Sequence, residues 1–437
     1  MTQIAPRPTA TDDAHLPSIA EAIAALGDGP LTDVALRAHI DPLFSRVLQR
    51  DEIYLANHSL GRPLDRMAED VRTALDHWYI DMDGAWGPWM EAVGRYRSLM
   101  AELIGCARPD AIVPKTSAGQ GLRAALGSLR TAMPKIVSTM GEFDSIEIVL
   151  KAWSARGRAN MTWVPAGAGG LFHGDDVAAA ITHDTDAVVV SQVIYATGQV
   201  VDGIDKVIAR AREVGAIVIL DTYHSAGAMP VGFDDLGADF AIGGNYKYTR
   251  GGAGACWLAV HPRHLRDAAH QAGIDGLFPI DTGWFAKAEA FDWSRPDEPS
   301  FAAGGDGWME STPPVLAFIQ AIAGLELTVG LGPARLREYN RGLQEAFIGH
   351  LRAHGVEPRV LPDRGAFVLV PTGDLSKAII GLKDRGINVD GRPDPAAPRS
   401  QTAAGNVRFC PDILTRTDEL ERAASIVADV WSQTQGR

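Results

Sequence analysis

The pattern of hydrophobic and polar positions divides the chain into short apolar runs and longer amphipathic segments. The runs at residues 187–190, 216–220 and 239–244 are apolar almost throughout, which is typical of strands buried on both faces of a parallel sheet, and a further strand is predicted at 135–139. Between them lie segments with apolar residues three or four positions apart, which predict helices. Alternation from about residue 111 to 257 therefore predicts a mostly parallel sheet flanked by helices.

The flanking parts of the chain add further elements. Helices are predicted at 17–26, 31–48, 64–78, 89–104, 313–327, 333–354, 375–385 and 416–433, with strands at 51–56, near 359–361, at 366–370 and at 406–411, and a loop at 388–398. This order predicts an α/β protein with an N-terminal helical segment at 1–50, a large domain at 51–320 and a smaller α+β domain at 321–437.

Two polar residues stand at the ends of predicted strands, with a turn-rich connection between them. Asp221 follows the run 216–220, and Lys247 follows the run 239–244, within Asn-Tyr-Lys-Tyr and before a Gly-Gly-x-Gly tail. Ligands of open α/β sheets bind at the carboxyl ends of strands. A lysine among such turns, near a buried aspartate, is typical of pyridoxal phosphate (PLP) chemistry: the lysine forms a Schiff base, and the aspartate keeps the pyridine nitrogen protonated. Each residue alone is also explained as a helix cap or a surface lysine.

A hydroxyl-rich turn lies between the strand predicted at 111–114 and a helix predicted at 122–129. Its residues Thr116 and Ser117 would stand at the helix N-terminus, where backbone N–H groups and the helix dipole favour a phosphate. Threonine and serine are also common N-caps, and the two interpretations are compatible because a cap residue can face a ligand.

Composition excludes several classes of function. The net charge of −13 over 437 residues argues against a nucleic-acid surface, and no GxGxxG fingerprint supports a nicotinamide fold. The three cysteines, at 106, 256 and 410, lack metal-ligand spacing and indicate reduced intracellular thiols. No apolar run approaches about 20 residues, and the N-terminus lacks the apolar stretch of a secretory signal. We therefore expect a cytoplasmic protein without a metal site or a membrane partner.

The stretch from Asp221 to Gly254 resembles the kynureninase branch of the class-V aminotransferase group, which consists of PLP enzymes of fold type I. The shared residues are Asp221-x-x-His224-Ser-Ala-Gly, Gly-Ala-Asp-Phe, Gly-Asn-Tyr-Lys-Tyr and the Gly-Gly-x-Gly tail. The resemblance covers about residues 53–408. It implies hydrolytic Cβ–Cγ cleavage of kynurenine or 3-hydroxykynurenine to alanine and an anthranilate, within tryptophan degradation.

The resemblance assigns roles to residues of the cofactor site. Lys247 is then the cofactor lysine and the base at Cα, Asp221 the partner of the pyridinium, and Tyr246 an acid and phosphate ligand. The other cofactor-binding residues that it implies are His224 beside the ring, Phe143 stacked on it, and Thr116 and Ser117 at the phosphate.

The resemblance also assigns substrate and subunit contacts. Ser59 would line the substrate pocket and Arg408 would bind the α-carboxylate of an amino-acid substrate, although a lone strand arginine is commonly part of a salt bridge. Trp284 and Thr312 would reach the cofactor phosphate of a neighbouring subunit, which implies a homodimer with shared sites. Without the resemblance, these two are a packing aromatic and a helix cap.

Three departures from the family pattern leave the reaction open. His58 and Ile194 each stand where the family has asparagine, and Ile146 stands where it has aspartate, unless Glu147 substitutes. The same site chemistry also suits a β-eliminating C–S lyase or a tailoring enzyme of specialised metabolism. A third hypothesis, a binding protein without activity, is disfavoured because such a scaffold needs neither Lys247 nor Asp221.

Overall fold

The computed structural model describes residues 18–267, 276–290, 295, 297–393 and 403–434. Its helices are α1 Ile19–Leu26, α2 Asp33–His39, α3 Arg66–Asp81, α4 Trp86–Ile104, α5 Ala118–Gly127, α6 Asp144–Ala155, α7 Gly174–Ala180, α8 Ile204–Val214, α9 Phe233–Leu236, α10 Val315–Leu331, α11 Pro333–Ala353, α12 Leu375–Lys383 and α13 Thr417–Thr434. Its strands are β1 Ile53–Tyr54, β2 Ile112–Lys115, β3 Lys135–Thr139, β4 Asn160–Val164, β5 Ala187–Ser191, β6 Ile217–Asp221, β7 Phe240–Gly244, β8 Cys256–Val260, β9 Val368–Thr372, β10 Ile387–Asn388, β11 Asp390–Pro393 and β12 Gly405–Phe409.

A seven-stranded sheet in the order β2-β8-β7-β6-β5-β3-β4 forms the centre of the larger part of the chain. Neighbouring strands run parallel, except that β8 is antiparallel to both β2 and β7. Every residue of β5 and β6 is buried, as expected for apolar runs covered by helices on both faces. The predicted α/β fold with a mostly parallel sheet is confirmed.

The strand order predicts a ligand-binding crevice along the edge of this sheet that is formed by the carboxyl ends of the parallel strands. After β3 the chain passes outward to β4, whereas after β5 it passes in the opposite direction to β6, so the two connections diverge between β3 and β5. Ligands of open α/β sheets bind at such a switch point, outside the carboxyl ends of the strands. Because β2, β6 and β7 point the same way, the start of α5 lies at that edge too.

The C-terminal part builds a smaller α+β layer. The antiparallel strands β11-β12-β9 pack with α11, α12 and α13 around one apolar core. Strand β1, from the beginning of the predicted large domain, pairs in parallel with β10, and its Ile53 and the following Leu55 join this core. The predicted domain boundaries remain predictions.

Three sequence-based elements differ in the structure. The helix predicted over 31–48 is α2 followed by 3₁₀ turns at Asp41–Phe44 and Val47–Gln49, because Pro42 cannot continue a helix. The strand predicted near 359–361 is a single bridge from Arg359 to Leu369. Within the predicted loop 388–398, Asn388 ends β10 and Asp390–Pro393 form strand β11, which pairs with β12, whereas residues 394–398 lie outside the described residues.

Helix α10 lies behind the loop that carries Lys247. Gly324 of α10 packs so closely on that loop that an added Cβ would stand 2.0 Å from the carbonyl oxygen of Thr249. Among the described residues, no single helix is long and apolar enough to span a bilayer, and α10 and α11, bent by 82°, pass that test only as a pair.

We expect Gly324→Ala to destabilise the protein although alanine favours helices. The new methyl group meets backbone that has no room to move, so the free energy of unfolding should fall by about 1–3 kcal/mol in urea denaturation. The matched control is Gly342→Ala in α11, where an added Cβ meets nothing within 4 Å and stability should rise by about 0.4–1 kcal/mol. Equal gains in both variants would show that α10 does not clamp the lysine loop.

Candidate active site

Lys247 and Asp221 lie where the sequence placed them, beyond β7 and at the last position of β6. Both are buried, with 6% and 7% of their surfaces exposed. Asp221 is paired in the ladder with Ser191 at the tip of β5, and its Oδ1 accepts a hydrogen bond from the backbone N–H of Tyr223 at 2.8 Å. The carboxylate is therefore fixed beside the crevice.

The lysine amine is held by a histidine and a tyrosine. Lys247 Nζ lies 2.7 Å from His224 Nε2, and His224 Nδ1 lies 3.1 Å from the hydroxyl of Tyr248. Burial, and next the charge of Lys247, lower the pKa of His224 well below its usual value, so the imidazole is neutral. Its Nε2 then accepts from the amine, which leaves the Nδ1 proton for the tyrosine oxygen.

Burial shifts the proton affinity of both principal groups. It lowers the pKa of Lys247, against the opposing charge of Asp221, and Arg408 lowers it further. Burial also raises the pKa of Asp221, although the bond from Tyr223 N–H and the charge of Lys247 oppose this. A neutral amine near neutrality is what a proton-abstracting lysine requires.

Three aromatic rings border the amine. Lys247 Nζ lies 4.6 Å from the ring centroid of Tyr223, 5.6 Å from that of Phe143 and 5.7 Å from that of Tyr246. Phe143 also meets Tyr195 edge-on at 5.1 Å. The structure thus brings Phe143 and Tyr246 to Lys247 as the sequence predicted, and adds Tyr223, which the sequence analysis missed.

At the N-terminus of α5, hydrogen-bond donors of Thr116 point to the side-chain oxygen of Gln120. Ser117 caps the helix by accepting from Gln120 N–H at 3.1 Å. The N–H and the hydroxyl of Thr116 both donate to Gln120 Oε1, at 2.7 and 3.0 Å. Thr116 and Ser117 are exposed, so oxygens of a phosphate could take the same donors. Together with the buried amine and carboxylate, this arrangement fits PLP.

Trp284 and Thr312 lie on two segments that pack together. The N–H of Phe285 donates to the Glu310 carbonyl at 3.2 Å, and Glu310 accepts from Lys115 Nζ and Gln120 Nε2 at 2.9 and 2.7 Å. Thr312 is exposed and Trp284 half-exposed. Both predicted subunit contacts therefore lie on segments joined, through Glu310, to the start of α5 of the same chain.

Arg408 is buried in the site, but its guanidinium already binds a carboxylate. Its Nε and Nη2 donate to the two oxygens of Asp390 at 2.9 and 2.6 Å, and its Nη1 donates to the carbonyl of Tyr195. His58, whose side chain is fully buried, lies with Nε2 2.5 Å from Asp390 Oδ1. Burial opposes the shift, but the hydrogen bond from His58 and the charge and hydrogen bonds of Arg408 hold the pKa of Asp390 well below its usual range. The salt-bridged interpretation of Arg408 is thus correct, whatever its role toward a substrate.

The departures from the family pattern take two different forms. His58 stays neutral because burial, then the charge of Arg408, lowers its pKa to about 4, and it serves Asp390. Ile146 and Ile194 are packed in the apolar cores on the two sides of the sheet. Glu147 pairs with Lys151 one helical turn further along α6. Ser59 is half-buried, next to His58.

Glu142 is a further buried acid that sequence reasoning missed. Its carboxylate bridges the tips of β3 and β5, accepting from the hydroxyls of Thr139 and Ser191 at 2.6 and 2.5 Å. Burial raises its pKa to about 7, and the charge of Asp221 adds to the shift. Its position directly before Phe143 was the one sequence signal for Glu142. Its bridging role, however, depends on β3 lying next to β5, which the sequence alone does not show.

Comparison with known proteins identifies the family of the chain. The profile of the family described as "Aminotransferase class-V" matches residues 86–357. A kynureninase from Pseudomonas fluorescens is 30% identical in an alignment of 405 positions that covers 88% of this chain and 91% of that protein. A kynureninase from Geobacillus thermodenitrificans is 26% identical in an alignment of 411 positions that covers 89% and 90% of the two chains.

Solved structures agree on the fold. A C-DES variant with glycine linked covalently to its PLP cofactor has a TM-score of 0.75 at 18% identity and covers 89% of this chain and 98% of its own. The cysteine desulfurase CsdA from Escherichia coli also has a TM-score of 0.75, at 16% identity, over 93% and 100% of the two chains. The chain therefore belongs to the class-V aminotransferase family, as a kynureninase-like enzyme of fold type I with PLP as its cofactor.

Proposed function

We propose that this enzyme hydrolyses the Cβ–Cγ bond of kynurenine or 3-hydroxykynurenine to give alanine and an anthranilate. The observation that carries the proposal is the similarity to kynureninases over most of both chains. The buried amine of Lys247, beside His224 and near the charge of Asp221, supports the first step, which is removal of the Cα proton. A cytoplasmic location and a role in tryptophan degradation belong to the same proposal.

The residues around the amine divide the proton chemistry between them. PLP, when bound, supplies an electron sink for the bond that breaks at Cα. Lys247 Nζ takes the Cα proton, because its lowered pKa leaves a neutral amine available. His224 Nε2 fixes the direction of that nitrogen through its 2.7 Å hydrogen bond. Asp221 supplies the negative charge that keeps a pyridine nitrogen protonated, and burial raises the pKa of Tyr246, so its phenol keeps the proton that an acid must donate.

Substrate binding has to accommodate the pair of Arg408 and Asp390. An arginine has five N–H groups, and Asp390 takes the two on the Nε side. The carbonyl of Tyr195 takes one N–H of Nη1, so a substrate carboxylate has to bind the two N–H groups that remain, one on Nη1 and one on Nη2. We assign Arg408 this role, with Ser59 on the neighbouring loop as a second substrate contact.

The alternative function is β-elimination from a cysteine-type substrate, as in a C–S lyase, or a tailoring reaction on a specialised metabolite. The observation that favours it is the burial of Ile146 and Ile194 in apolar cores, since the family has polar residues at both positions. All three cysteines are buried, so such a reaction would proceed without an exposed protein thiol.

Product analysis separates the two functions. With kynurenine or 3-hydroxykynurenine we expect equal amounts of alanine and the anthranilate, detected by chromatography. Lys247→Ala should reduce the rate by at least about 10²–10⁴-fold, because the Cα base is gone. After reduction with borohydride, the same variant should carry no PLP on the peptide that contains residue 247.

The opposite pattern would contradict the proposal. Pyruvate and a free thiol from a cysteine conjugate, with both kynurenines untouched, would establish the C–S lyase. Substantial turnover by a folded Lys247→Ala protein would remove the lysine from the mechanism under either function.

Shared sites in a homodimer are also proposed, on the exposure of Thr312 and Trp284. Lys247→Ala subunits mixed with subunits carrying both Trp284→Ala and Thr312→Ala should regain activity. In the mixed dimer one site collects every defect and the other none, so up to about half of the heterodimer sites should recover. Absence of recovery, with heterodimers confirmed by native mass spectrometry, would show that each site is built within one chain.

A further inference from the structure

Of the three tyrosine and phenylalanine rings that border the lysine amine, that of Tyr223 is the nearest, and none of the roles assigned above includes it. Its centroid lies 4.6 Å from Lys247 Nζ, about 1 Å closer than the rings of Phe143 and Tyr246. Its backbone N–H binds Asp221 Oδ1 at 2.8 Å. One turn thus fixes both the buried carboxylate and this ring at the lysine.

The far end of the Tyr223 side chain occupies space that a glycine leaves for it. At Gly244, the last residue of β7, an added Cβ would stand 2.2 Å from the Tyr223 hydroxyl and 2.7 Å from Cys256 Sγ. The hydroxyl itself lies 3.7 Å from that sulfur. The ring of Tyr246 packs against that of Tyr223 at a centroid distance of 5.2 Å. The ring is therefore confined beside the amine by β7, β8 and Tyr246.

The ring stays neutral in this position. Burial raises the pKa of Tyr223 far above its usual value, and the nearby Cys256 and Tyr246 add to the shift. It places no second negative charge beside Asp221. A neutral, half-buried ring next to the nitrogen that carries the cofactor offers a flat apolar surface for an aromatic heterocycle.

We infer that Tyr223 is a further cofactor-binding residue, whose ring packs against the pyridine ring of PLP at Lys247. The inference rests on the proposed attachment of the cofactor to Lys247. It does not depend on which substrate the enzyme uses. Asp221 and Tyr223 would then contact the same heterocycle, one through charge and the other through ring contact.

The test is the dissociation constant of PLP from the apoprotein, measured by equilibrium ultrafiltration. Tyr223→Ala should weaken binding about tenfold, which corresponds to a ring contact of about 1.4 kcal/mol. Tyr223→Phe keeps the ring and should bind PLP as the wild type does. Visible circular dichroism of the bound cofactor should change in the alanine variant and not in the phenylalanine variant.

The matched control is Trp153→Ala, which removes a half-buried aromatic packed on the core from α6. It should lower the melting temperature of the apoprotein without changing the affinity for PLP. If Tyr223→Ala fails to fold, Tyr223→Leu keeps the bulk, removes the π-face and carries the same expectation. The inference is overturned if Tyr223→Ala lowers stability with unchanged PLP affinity, or if Tyr223→Phe weakens binding as much as the alanine variant. Kynurenine turnover enters none of these outcomes, so they leave the proposed substrate untouched.

Discussion

The burial of the Lys247 amine beside His224 and Asp221 is the constraint on which the rest of the site depends. Burial lowers the pKa of a lysine, so the amine loses its proton more readily. Here a neutral imidazole lies against the amine, and the charge of Asp221 limits how far the pKa falls. The strand tips make this possible, because β6 and β7 are apolar up to the residues at which chemistry begins. The sheet thus supplies a rigid, dry support, and the turns after its strands supply the reactive groups.

A second buried charge system lies close to the first and acts on the pKa of Lys247. Arg408, Asp390 and His58 link three remote parts of the chain through bonds of 2.5–2.9 Å. Breaking one member would leave a buried charge without its partner, which is far costlier than losing a surface ion pair. The carboxylate of Asp390 also compensates the charge of Arg408 before any substrate arrives. Under the proposed function, a substrate carboxylate would meet an arginine that is already oriented.

The sequence was sufficient for elements whose signal is local. Continuous apolar runs located several of the strands; Asp221 was recognisable because it directly follows such a run, and Lys247 because it stands three residues after one, before a glycine-rich tail. The missed residues depend on contacts between distant segments. Asp390 lies in a polar stretch that forms a strand only because β12 pairs with it. Glu142 acquires its role from the neighbouring β5, and Tyr223 from the space at Gly244. The pattern of apolar and polar residues within each of these three segments does not reveal their contacts with distant segments.

The proton affinity of Lys247 tests this account most directly. The rate at which PLP joins the apoprotein, followed by the absorbance of the attached cofactor, depends on the neutral amine and can be measured across a pH series. The account predicts half-maximal rate at a pH well below the ordinary lysine pKa of about 10.4, and a still lower value in Asp221→Asn, because that carboxylate raises the pKa of the amine. A midpoint at the ordinary lysine value, or one that rises in Asp221→Asn, would contradict it.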